Sequence, residues 1–198
     1  LMLRDGGFER PLPPQALEAL DGWITDPVTA LGAATDIIEA LFGERLVSYN
    51  LHDDGSTPSH DVLFGGLVAS LMPQAKLALL RQSLVRLDDG AVWRVEYTYE
   101  GRERQFDARA NGSAMDVDGV LQGVDELMES IGRNERAYRL APGRYNNGET
   151  GTFVVVDGQR FPEIAWRLRL PLLRSPSMSD LPAGVPTAAP EPLRVGGR

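Results

Sequence analysis

The 198 residues are 42% hydrophobic and 24% charged, with 28 Asp and Glu against 20 Lys and Arg, a net charge of −8 and no cysteine. That length supports one well-buried domain and is short for two. The missing cysteines exclude disulfides, thiolate nucleophiles and Cys-based zinc sites, no apolar run is long enough for a membrane span, and the acidic balance disfavours a nucleic-acid backbone as partner.

Residues 1–13 read as a loose N-terminus without the basic and apolar regions of a signal peptide, and a cytoplasmic protein is expected. Two helices follow. The first carries Leu17, Leu20, Trp23 and Ile24 after Pro13-Pro14. The second opens on Asp26-Pro27, an N-cap followed by proline at the first helical position, and runs through Val28, Leu31, Ile38 and Leu41 to Gly43. Arg45 to Leu51 reads as a short strand. His52 to Asp61 (HDDGSTPSHD) is a polar loop, and Val62 to Met72 a buried helix capped by Asp61 and limited by Pro73.

From Leu79 the apolar period changes to two. Leu84 to Leu87, Val92 to Tyr99 and Glu103 to Ala108, separated by Asp88-Asp89-Gly90 and Glu100-Gly101, form a three-stranded antiparallel meander. Trp93, Val95, Tyr97 and Tyr99 face the core, and Arg94, Glu96 and Thr98 face water. Val117, Val120, Leu121, Val124, Leu127, Met128 and Ile131 then make one apolar helical stripe, capped by Asp116 or Asp118 and ended by Gly132. Arg136 to Leu140 and Thr152 to Val156 are strands around a Gly/Asn-rich turn, and Phe161 to Leu168 is a closing helix.

The expected fold is therefore α+β: N-terminal helices followed by a βββ-α-ββ-α layered domain, with a largely antiparallel sheet of about five strands. Residues 14–173 form that single domain. Residues 174–198 form a Pro/Gly-rich tail, with five prolines and three glycines between Ser175 and Arg198.

The charge is uneven. Residues 1–132 carry 22 acids against 10 bases, while residues 133–174 carry 8 arginines against 4 acids. On the stripe helix, Asp118, Gln122, Asp125 and Glu129 fall within about 60° of one another, opposite the apolar face. Such a face can dock an Arg/Lys-rich protein, or serve only as a solvated surface. Arg133, Arg136, Arg139 and Arg144 follow. Arg136 and Arg139 alternate across a strand, which argues against one dense anion patch and for pairing with acids of this chain.

No nucleophile elbow, phosphate loop, zincin motif, dinucleotide fingerprint or calcium loop occurs. The one local anomaly is the loop holding both histidines, His52 and His60, with Asp53, Asp54 and Asp61. His52, Asp53, Asp54 and His60 have the chemistry of a metal site or of a His/Asp hydrolase, although the same residues also suit a plain turn. Binding without catalysis and without a cofactor fits the charge map better. The expectation is an acidic inhibitor of the immunity or antitoxin kind that docks a basic protein. A metal-dependent or His/Asp-based hydrolase, and a structural module of a larger assembly, stand as alternatives.

Overall fold

The computed structural model describes residues 42, 45–51, 59–112, 114–140, 150–158 and 161. Its elements in chain order are β1 (Leu46–Asn50), α1 (His60–Leu71), β2 (Leu77–Leu87), β3 (Gly90–Tyr99), β4 (Arg102–Arg109), α2 (Val117–Ser130), β5 (Glu135–Arg139) and β6 (Thr150–Asp157). The mixed α+β class is as expected. The two N-terminal helices except Phe42, loop residues 52–58, all but the first residue of the Phe161 helix, the tail and both expected domain limits lie outside the described residues.

The expected single sheet of about five strands is instead two three-stranded antiparallel sheets, ordered β2-β3-β4 and β1-β6-β5. The meander and the β5–β6 pair lie in separate sheets, and the second is extended by β1. It pairs with β6 from Leu46↔Val154 to Asn50↔Thr150, and Ser48 Oγ lies 2.9 Å from Thr152 Oγ1, 104 residues away. So distant a pairing leaves no trace in local periodicity.

The meander follows its alternation closely. Val95 and Tyr97 are buried, and Trp93 and Tyr99 pack against the same core. On the outer face Arg94 donates from Nε and Nη2 to the two Asp107 oxygens at 2.8 Å each, and Arg81 Nε meets Glu96 Oε2 at 2.9 Å. Glu100 (φ 49°) and Gly101 (φ 74°) both adopt left-handed backbone, the signature of the tight hairpin turn whose twist matches its strands. β2 starts at Leu77, seven residues earlier than the sequence suggests, because a bulge interrupts its period. Ala78 pairs with Thr98 and Arg81 with Glu96, so Leu79 and Leu80 together oppose Tyr97. Leu80 turns inward over Gly65, while Leu79 (φ 51°) is 73% exposed.

α1 also departs from its expected limits. It begins at His60 with Ser59 at the N-cap position. Asp61 is not the cap: it sits in the first turn, where the helix dipole favours a carboxylate, and accepts the Val62 N–H at 2.9 Å. The Gly65-Gly66 pair, a weak point for a helix by propensity, serves close packing. A Cβ at Gly66 would collide with the Tyr49 ring, and one at Gly65 would lie 2.8 Å from Leu80 Cδ2.

α2 matches its expected stripe, with Val117, Val120, Leu121, Val124, Leu127 and Met128 buried. Asp116 is the cap: Oδ1 accepts Gly119 N–H at 3.2 Å and Oδ2 accepts Arg109 N–H at 2.7 Å. Gly132 (φ 71°) ends the helix in a paired cap, with Gly132 N–H on Glu129 O at 3.0 Å and Arg133 N–H on Met128 O at 2.9 Å. α1 touches strands of both sheets, and α2 packs on β4 and β5, so the helix pair joins the two sheets around one core. Among the described residues no helix is long and apolar enough to cross a membrane.

Candidate functional site

The sharp reversal at Gly132 sends β5 back beside α2, and this sets the arginines after residue 132 against the polar face of that helix. Arg136 is the centre of the arrangement. Its Nε lies 3.2 Å from Asp125 Oδ1 and its Nη2 3.1 Å from Glu129 Oε1. Its Nη1 donates to Glu135 O at 2.9 Å and Arg133 O at 3.1 Å. With its side chain only 19% exposed, Arg136 is a fixed cation shared by two carboxylates.

The four residues singled out on α2 thus fall into two groups. Asp125 and Glu129 are tied to Arg136, although the Glu129 side chain stays 69% exposed. Asp118 and Gln122 are exposed, and Gln122 Nε2 donates to Glu126 Oε1 at 3.0 Å. Burial pushes the pKa of the Arg139 guanidinium down, and Asp118 is the charge that opposes the shift. The Arg139 Nε is buried and has no hydrogen-bond partner among the described residues. Arg133 is held by Glu135, with Nε 3.1 Å from Oε2. α2 therefore presents Asp118, Asp125, Glu126 and Glu129 with one bridging guanidinium and a second cation near its start.

The strand rule places Arg136 and Arg139 on opposite sides of β5, yet both are electrostatically coupled to α2. Arg136 is the first residue after Glu135 in the strand, and its long side chain wraps back to the helix. The signal available in the sequence was the short distance between Glu129 and Arg136 across a glycine stop, which brings i and i+7 together only if the chain reverses.

The second candidate is divided by its position. His52, Asp53 and Asp54 lie outside the described residues. His60 is fully buried as the first residue of α1. Its Nε2 accepts the Asp116 N–H at 3.1 Å, its backbone N–H donates to Gln82 Oε1 at 2.9 Å, and its ring stacks on Trp93 at 6.2 Å between centroids. The imidazole thereby locks the start of α1 to the cap of α2. Among the described residues no three His, Cys, Asp or Glu side chains gather as metal ligands.

A cleft of about 350 Å³ opens on the outer face of the meander beside Leu79, Arg81, Glu96, Thr98, Glu103 and Gln105. The Arg81–Glu96 pair crosses it, and Tyr97 and Arg104 complete its lining. No protein-family model matches this chain, and no curated protein or solved structure matches it either.

Proposed function

We propose that this chain is an acidic protein-binding domain that docks and inhibits a basic protein partner in the cytoplasm, in the manner of an immunity protein or antitoxin. The observation that carries the reading is the polar face of α2, where Asp118, Asp125, Glu126 and Glu129 stand on one helix and Arg136 bridges Asp125 and Glu129. Four carboxylates against Arg136 and the nearby Arg139 leave the face negative, and Arg136 holds Asp125 and Glu129 in place. A partner then loses less rotamer freedom on docking, and its approach is steered by charge. Residues 1–54 reinforce this, with 10 acids against 3 arginines.

His60 favours binding over the hydrolase alternative, because its Nε2 is already engaged by a backbone amide. Immobilised chain exposed to extract of its native source, at low and moderate salt, tests the proposal. A basic protein should be retained at both, more strongly at low salt. Recovery of none would end the proposal.

A further inference from the structure

β4 is an outer strand of its sheet, and its main-chain groups alternate between β3 and the edge. Ala110 N–H donates to Ala91 O at 3.3 Å, so Arg104, Phe106 and Ala108, which share its phase, turn their amides toward β3. Arg109 N–H turns the other way, to Asp116 Oδ2 at 2.7 Å. Glu103, Gln105 and Asp107 share the phase of Arg109. Among the described residues nothing pairs with their N–H and C=O groups, and all three residues are exposed. The Glu100-Gly101 turn bounds this open stretch at one end, and Asp116 closes it at the other.

α2 runs along the same strand. A Cβ at Gly119 would lie 3.1 Å from Ala108 Cα, one at Gly123 would meet the Phe106 ring, and Arg104 Nη1 donates to Ser130 Oγ at 2.6 Å. Gly119, Gly123 and Ser130 therefore form the ridge that faces β4. At about 100° per residue, Val120, Val124 and Leu127 lie roughly a quarter turn to one side of that ridge, and Asp118, Gln122 and Glu129 roughly a quarter turn to the other. Glu126 stands between the ridge and the polar side. α1 packs against α2 and also against β2 and β3. The apolar side of α2 thus looks inward over the meander, and the polar side looks outward above the open edge of β4.

We infer that a basic segment of the partner adds to β4 as a further strand, bonding to the main-chain groups of Glu103, Gln105 and Asp107 and raising its cationic side chains to Asp118, Gln122 and Glu126. The inference rests on the acidic docking face proposed above and names how that face is reached. Main-chain bonds of an added strand supply affinity, and its alternate side chains supply selectivity. Residues of the added strand that bond to β4 carry their side chains on the outer face, beside Glu103 and Gln105. The residues between them point under α2, opposite Phe106 and Ala108. A second copy of this chain is the poorer occupant. Antiparallel pairing of two β4 strands about Gln105 opposes Glu103 to Asp107 and sets two acidic helix faces against each other.

A synthetic peptide of alternating arginine and threonine, with acetylated and amidated ends, is the probe. Titrated into the full chain, it should slow amide exchange at Glu103, Gln105 and Asp107 and leave Arg104, Phe106 and Ala108, already bonded to β3, at their own rates. With its arginines under α2, its threonines bond to β4. N-methylation of every threonine should therefore weaken binding at least about tenfold, and N-methylation of every arginine should leave it nearly unchanged. Gln105→Pro removes an N–H that bonds nothing among the described residues, at an edge position that tolerates proline. With an unchanged circular dichroism spectrum, this variant should bind the unmethylated peptide more weakly by a similar factor. The peptide arms do not depend on that variant folding. Absence of peptide binding, equal binding by the two N-methylated forms, or a folded Gln105→Pro chain that binds as tightly as the native one would overturn the inference. Equal binding by the two forms would still leave the acidic face as a docking surface. Failure to retain any basic protein from extract would instead end the partner reading, whatever the peptide does.

Discussion

His60 shows how a polar side chain is kept in an apolar core. Its ring is fully buried, and what makes that tolerable is the Asp116 N–H on Nε2 and the Trp93 ring against its face. Replacing it with leucine keeps much of the volume but leaves the Asp116 N–H without its acceptor. His60→Leu should cost about 2 kcal/mol in urea unfolding, with faster hydrogen exchange at the Asp116 amide. Leu79 and Glu100 carry the opposite kind of cost, since both hold left-handed backbone with a side chain attached. Leu79→Gly and Glu100→Asn should each raise stability by about 0.5 kcal/mol, read as a higher urea midpoint. If Leu79→Gly lowers the midpoint instead, the exposed leucine contributes packing that outweighs its strain.

At the scale of elements, α2 was the most legible part of the chain. Its stripe, its cap and its glycine stop are all local signals, and all three hold. Asp116→Ala should cost about 1–2 kcal/mol, because one carboxylate serves both Gly119 N–H and Arg109 N–H and so links the helix start to the end of β4. Arg136→Met should cost about 1 kcal/mol, since it removes a cation from between Asp125 and Glu129. β2 was legible only in part. The inserted residue at Leu79 shifts the alternation by one, so the stretch before Arg81 does not continue the pattern that identifies Leu84 to Leu87. α1 was displaced at its start, because Asp61 and Ser59 are both good cap residues and only the backbone geometry at Ser59 decides between them.

At the scale of the molecule, two sheets stand where one was expected, since strand partnership is decided by tertiary contact and not by period. Each sheet carries one ion pair that shifts its carboxylate. Asp107 is held below the usual carboxylate range chiefly by its hydrogen bond from Arg94, and Glu135 likewise by Arg133. A depressed folded-state pKa contributes stability above the unfolded value, about pH 4, and that contribution is lost as pH falls through the folded value. Asp107→Asn should therefore lower the urea midpoint at pH 7 slightly and leave it nearly unchanged near pH 2. The effect stays below about 1 kcal/mol, because the Asp107 side chain is 36% exposed. The claim on which the functional reading depends is that the α2 face itself binds. Titration calorimetry of the captured basic partner against the native chain and the Asp118→Asn/Asp125→Asn/Glu129→Gln variant tests it most directly. The account predicts an affinity at least about tenfold weaker for a variant that remains folded. Equal affinity for the two chains would contradict it.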